Sequence, residues 1–113
     1  MNITKDLVAA SATPLVLSIL AEGESYGYAI IKRVHELSGG QMQWTDGMLY
    51  PVLHRLERQG LIKARWGVSE NGRKRKYYQI QQEGEKNLET QQVQWRTVNS
   101  ILTQVWESKA CSI

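Results

Sequence analysis

Asp46-Gly47-Met48-Leu49-Tyr50-Pro51-Val52-Leu53-His54-Arg55-Leu56-Glu57-Arg58-Gln59-Gly60-Leu61-Ile62 is the stretch on which the reading of this chain turns. Leu49, Val52, Leu53 and Leu56 recur at i, i+3, i+4, i+7, the spacing of one helical face laid against a core. The opposite face carries Gly47, Tyr50, Pro51, His54 and Arg58, with Arg55 at its margin. Small, hydrogen-bonding and cationic groups of this kind suit the major groove of a duplex. An ordinary amphipathic surface helix would show the same pattern, so the segment that follows has to separate the two readings.

Gly60 is placed to stop the helix. The runs Leu61 to Trp66 and Lys74 to Ile80 are rich in β-branched, aromatic and aliphatic residues and predict a hairpin. Gly67-Val68-Ser69-Glu70-Asn71-Gly72 supplies turn chemistry, with Asn71-Gly72 tolerating positive φ. Arg73, Lys74, Arg75 and Lys76 follow in succession. Alternation along a strand sends such a run to both faces, where a core has no use for cations but phosphate does. Edge protection by Lys and Arg is the other use of the pattern.

Upstream, two helices are expected. Leu7 to Leu20 is the most apolar region, read as a core helix with Leu15, Val16, Ile19 and Leu20 as its stripe; Pro14 marks a kink, or a fresh start capped by Thr13. Ser25 is the expected N-cap of a second helix through Leu37, with Ile30, Ile31, Val34 and Leu37 inward and Gly39-Gly40 as the stop. Thr45 is positioned to cap the third helix while Trp44 packs on Leu49. Pro51 removes one backbone hydrogen bond near the second turn.

From Gln82 to about Ser108 a long helix is expected, with Leu88, Gln91, Trp95, Val98, Leu102 and Val105 at alternating spacings of three and four. More than three heptads exceed what the other helices of so short a chain can cover, so the stripe is expected to dock on a second copy, with packing against the first helix as the alternative. Trp106, one position off, widens the face. Trp95 beside Asn99 and near Gln91 and Gln92 does not suit a close-packed zipper. It suits either a shallow cavity on the two-fold axis, able to stack a planar aromatic ligand, or plain filling of the dimer core.

Length and charge set bounds on function. The chain of 113 residues forms one folding unit, divided here into a winged helix-turn-helix part (1–81) and a C-terminal dimerisation helix (82–113). Net charge is +3, but residues 32 to 76 hold ten Lys and Arg against four Asp and Glu, the concentrated footprint expected for a polyanion. Cys111, the single cysteine, cannot form an intrachain disulfide, which fits a reducing cytoplasm. No stretch approaches the roughly 20 apolar residues of a membrane span. His54 and His35 lack partners at metal spacing, and there is no Gly-rich phosphate loop and no Ser or Cys nucleophile near a histidine. Neither an enzyme nor a cofactor site is expected. A small protein-interaction module remains the competing reading, favoured if Arg73 to Lys76 are held in intrachain ion pairs.

These residues carry a family resemblance. Ser25-Tyr26-Gly27-Tyr28-Ala29-Ile30, Gly47-Met48-Leu49-Tyr50-Pro51-Val52-Leu53 with Leu56-Glu57 and Gly60-Leu61-Ile62, and Arg73-Lys74-Arg75-Lys76-Tyr77-Tyr78 together resemble the PadR family of transcriptional regulators. The single long C-terminal helix is similar to that of its short, LmrR-like subgroup. The resemblance implies a mainly α fold with a small β-hairpin, and a homodimeric repressor that reads a palindromic operator in double-stranded DNA. It places Tyr50, Pro51 and His54 on the DNA face and Arg73 to Lys76 on the wing. Lys32, Thr45, Gly47 and Arg58 join these as expected DNA contacts. It also matches Trp95 to a tryptophan that stacks flat aromatic compounds between protomers, with Gln91, Gln92 and Asn99 beside it. Leu88, Trp95, Val98, Leu102, Val105 and Trp106 are the expected dimer contacts. Two departures stand out: Ile80-Gln81 replaces a common Leu-Thr before the last helix, and Asn99 stands where some relatives carry aspartate.

Overall fold

A computed structural model describes residues 2–111, with side chains as far as Ser108; residues 112 and 113 of the expected last helix and the side chain of Cys111 lie outside the described residues. The order is α1 (Lys5–Glu22), β1 (Ser25–Tyr26), α2 (Gly27–Leu37), α3 (Asp46–Arg58), β2 (Ile62–Val68), β3 (Lys74–Ile80) and α4 (Gln82–Cys111). Mainly helical, with a small antiparallel sheet of order β1-β3-β2, this is the winged helix-turn-helix with one long C-terminal helix that the sequence predicts.

The first helix corrects one expectation. Its cap is Thr4, whose Oγ1 accepts from the Leu7 N–H at 3.4 Å, and the helix runs through Pro14 without a fresh start. Thr13 is therefore not a cap; its hydroxyl instead accepts from Arg55. Burial of Ala12, Val16, Leu17, Ile19 and Leu20 outweighs the hydrogen bond lost at Pro14. Leu17 is a core residue the expected stripe left out, while Leu15 is only half-buried.

Ser25 is a second correction. It does not cap α2 but pairs with Tyr78, and Tyr26 with Tyr77, so the hairpin gains a short third strand. Tyr26 is the N-cap of α2 and makes no side-chain cap bond. Ile30 and Val34 point inward and Ile31 is half-buried, but Leu37, expected inward, is the last residue of the helix and is exposed. The Gly39-Gly40 stop holds: both have positive φ, and the Gly40 N–H donates to the His35 carbonyl at 2.8 Å.

Leu49, Leu53 and Leu56 of α3 are fully buried, and Trp44 beside them joins the core. Thr45 occupies the N-cap, yet only its carbonyl bonds the first turn, accepting from Met48 and Leu49; its hydroxyl makes no cap bond. Gly60, φ 74°, ends the helix as predicted. The hairpin register runs from Ile62↔Ile80 to Val68↔Lys74, so Gly67 and Val68 are strand, not turn. The remaining loop is closed by Ser69 and Arg73, and Gly72 alone takes positive φ, with Asn71 left in an ordinary conformation.

Despite the missing threonine cap, α4 begins at Gln82. The Gln81 N–H donates to the Leu61 carbonyl at 2.9 Å, and the Glu85 N–H to that of Gln81 at 2.9 Å. Gly84 lets the first turn lie on the backbone of Leu61: a Cβ there would collide with the Leu61 carbonyl and stand 2.8 Å from Ile80 Cγ1. Leu88, 7% exposed, closes the core within the chain where α4 packs on α1. Expected as a dimer contact, it is spent on intrachain packing. Beyond Leu88 the rest of α4 leaves the body of a molecule measuring 63 × 31 × 21 Å.

Candidate nucleic-acid interface

With Leu49, Leu53 and Leu56 inward, the roughly 100° step per residue turns Gly47, Tyr50, Pro51, His54 and Arg58 outward, and all five are exposed. Gly47 has an unstrained helical backbone, and a Cβ there would meet nothing nearer than Thr45 Oγ1 at 3.9 Å. The fold therefore has no need of glycine at this position, which costs helix stability. What glycine leaves is room for close approach from outside. Pro51, lacking an N–H, leaves the Gly47 carbonyl without its helical donor on the same exposed face.

Tyr50 flanks this face. A Cβ on Gly27 would lie 2.6 Å from its Oη, so the ring extends over the start of α2; His54 stands beside it with ring centroids 6.2 Å apart. Arg55 bounds the other flank and is drawn off the face, its Nη2 donating to Thr13 Oγ1 of α1 at 2.6 Å. Thr45, exposed, keeps its hydroxyl clear of the cap. Lys32 is exposed on α2 beside the loop that leads to α3, where it borders a shallow depression with Gln43 and Trp44.

The wing stands next to this helix. On its outer face Arg65, Tyr77 and Tyr26 align across β2, β3 and β1. Arg65 lies 4.7 Å from the Tyr77 ring centre, Tyr77 meets Tyr26 edge-on at 5.8 Å, and Arg75 covers Tyr26 at 3.9 Å. Gly67 makes the space: a Cβ there would sit 2.8 Å from Arg65 Nη1 and 2.9 Å from the Tyr77 ring. Glu24 anchors Arg65 through two hydrogen bonds, one of 2.8 Å, and the guanidinium holds its carboxyl below the usual carboxylate range.

The four consecutive cations thus divide. Arg73 and Lys74 are exposed and make no ion pair among the described residues. Arg75 is half-buried on Tyr26, and Lys76 reaches Glu57 of α3 at 3.8 Å. Sequence reasoning missed the bracing set of Glu24, Tyr26, Arg65 and Tyr77. Period-2 alternation would have aligned Arg65 with Gly67, and Arg75 with Tyr77, but not the two-residue strand that brings Tyr26 to them.

Along α4, Trp95, Val98, Leu102, Val105 and Trp106 form a continuous exposed stripe, which Ile101, absent from the expected seam, widens beside Val98 and Val105. Trp95 is 37% exposed. Gln92 and Asn99 lie on the same side and are exposed, and Gln91 is half-buried with its amide donating to Asn87 at 3.0 Å. In a single chain this face is open surface. Among the described residues no three His, Cys, Asp or Glu gather as a metal site, and no helix is long and apolar enough to cross a membrane.

Residues 16–90 match the family described as "Transcriptional regulator PadR-like family". A transcriptional regulator from Clostridium thermocellum is similar in structure, with a TM-score of 0.82 and 30% identity over 90% of this chain and 96% of that one. A PadR family transcription regulator from Clostridium difficile gives 0.74 and 33%, covering 83% and 96%. In sequence, a protein of Lysinibacillus sphaericus is 29% identical over 100 residues, 88% of this chain and 92% of the other.

Proposed function

The chain belongs to the PadR-like family of transcriptional regulators, and from that premise we propose that it acts as a homodimeric repressor of a palindromic operator. It is a DNA-binding regulator of transcription and not an enzyme. The reading rests above all on the exposed face of α3. Gly47, Tyr50, Pro51, His54 and Arg58 stand clear of the core there, and Arg73 and Lys74 stand free on the adjoining wing. Such a helix enters a major groove while the wing cations meet phosphate. Thr45 and Lys32, beside the start of α3, extend the backbone contacts. Arg75 and Lys76 reach the same strand of phosphates from positions already steadied by Tyr26 and Glu57.

The exposed stripe of α4 supports the dimer, since a patch with Val98, Leu102, Val105 and Trp106 in the open marks an interaction surface. Two copies joined there present two α3 helices, and an operator with inverted half-sites matches that symmetry. Trp95, with Gln91, Gln92 and Asn99 on its side of the helix, is where a planar aromatic compound enters between protomers and releases DNA by altering their angle. Repression is exerted on cytoplasmic DNA. The competing protein-interaction reading would be favoured by a cationic run held in intrachain ion pairs, and among the described residues Lys76 alone of the four has one, at 3.8 Å.

Selection of duplexes from a random-sequence pool by the native protein tests the reading. The expected product is an inverted repeat bound with strong salt dependence. A pool that yields no retained duplex at low salt sinks the proposal; a single unrepeated half-site sinks its dimeric form.

A further inference from the structure

The wing has two unlike faces. Its outer face is covered by itself, with Arg65, Tyr77, Tyr26 and Arg75 stacked in sequence over Gly67. Its inner face begins at the core, where Ile62 and Tyr78 are buried, and continues outward through the pairs Trp66↔Lys76 and Val68↔Lys74. Here the core has ended. Trp66 is 67% exposed and Val68 68%, side by side on the same face of β2, with a lysine directly across from each.

This face adjoins the exposed helix. Lys76, opposite Trp66, reaches Glu57 near the end of α3, so a duplex seated on Gly47, Pro51, His54 and Arg58 meets the inner side of the wing at its edge. An aromatic and aliphatic centre with a cationic rim has a specific complement in DNA. The walls of the minor groove are deoxyribose rings, which offer apolar surface, and their outer edges are phosphates. A second copy of the chain is a poor occupant, because it would bring the same lysines against these.

We propose that Trp66, backed by Val68, packs on the deoxyribose wall of the minor groove flanking each half-site, while Lys74 and Lys76 take the bordering phosphates. The proposal rests on the DNA-binding reading above and adds to it an uncharged, apolar share of affinity carried by the wing. The stacked outer face holds the hairpin rigid, so the indole is presented without a large ordering cost on binding.

Salt titrations test it, with the duplex recovered by the native protein from the random pool and with native, Trp66→Ala, Trp66→Phe and Lys74→Ala chains. An apolar contact releases no counterions. Trp66→Ala is therefore expected to weaken binding roughly tenfold at every salt concentration, with the slope of log K against log salt unchanged. Trp66→Phe should recover most of the loss. Lys74→Ala should instead lower the slope by about 0.9. Binding by Trp66→Ala within twofold of native overturns the proposal, as does a slope change like that of Lys74→Ala or a shift of Trp66→Ala in sedimentation, which would assign the indole to a protein interface. If the native chain retains no duplex, the DNA-binding reading itself has failed, an outcome distinct from a silent Trp66 variant.

Discussion

Tyr78 lies at the centre of the sheet, its ring wholly buried and its hydroxyl, also buried, without a hydrogen-bond partner among the described residues. Burial, aided by the nearby Tyr50 and Glu57, pushes its pKa from 10.0 up to about 12. The folded value lies above the unfolded one, so folding favours the neutral phenol. Its contribution is complete below about pH 10 and is lost as pH rises towards about 12. An unpaired buried hydroxyl costs stability at every pH. Tyr78→Phe is therefore expected to raise unfolding free energy by about 1 kcal/mol at neutral pH and to remove this residue's share of the alkaline loss. Urea melts of both chains across pH 7 to roughly 12 check both parts; a variant less stable than native at pH 7 contradicts the account.

Among the elements, α3 shows most clearly a local rule broken on the exposed side. Pro51 and Gly47 each weaken the helix; Pro51 is exposed, and a Cβ on Gly47 would meet nothing nearer than 3.9 Å. Pro51→Ala restores a donor for the Gly47 carbonyl and should stabilise the fold by about 1 kcal/mol or more. It also removes an apolar ring from the exposed side proposed to enter the groove. Discrimination between the selected operator and random duplex should therefore fall while the salt slope stays unchanged, as paired binding titrations would show. A stabilised variant with undiminished discrimination would make the proline incidental. The same element shows why so much could be read from sequence: Leu49, Leu53 and Leu56 declare their face by period, and Gly60 declares the end. What escaped was set by contacts distant in the chain. Ser25 has a cap's chemistry, but Tyr78, far along the sequence, offers it a strand edge instead. Pro14 is a helix breaker until the burial around it is known. Leu88 and Leu102 share one periodic stripe, and only the position of α1 assigns the former to the core. Of the candidate site, the exposed face of α3 and the cationic run could be read from sequence, whereas the division of that run by Tyr26 and Glu57 depends on tertiary neighbours.

At the scale of the whole molecule, the exposed end of α4 is the surface on which the proposed dimer would assemble. Leu102→Glu places a charge in the middle of the apolar stripe, too costly to bury at an interface. The variant is expected to sediment as a monomer, keep its helical circular dichroism, and bind the selected operator at least tenfold more weakly, since its half-sites are then engaged singly. A Leu102→Glu chain that remains dimeric moves the interface elsewhere. Gly84 gives this arrangement a mechanical property. By seating the first turn of α4 on the backbone of Leu61, which directly follows the end of α3 at Gly60, it welds a rod of 30 residues, about 45 Å long, to the base of the wing. A tilt of about 5° at the far end of such a rod sweeps about 4 Å, against a half-site separation of about 34 Å. In the dimer proposed above the glycine would be the fulcrum of a lever: a small wedge at the seam would be returned at the DNA as a gap too wide or too narrow for one turn of the duplex.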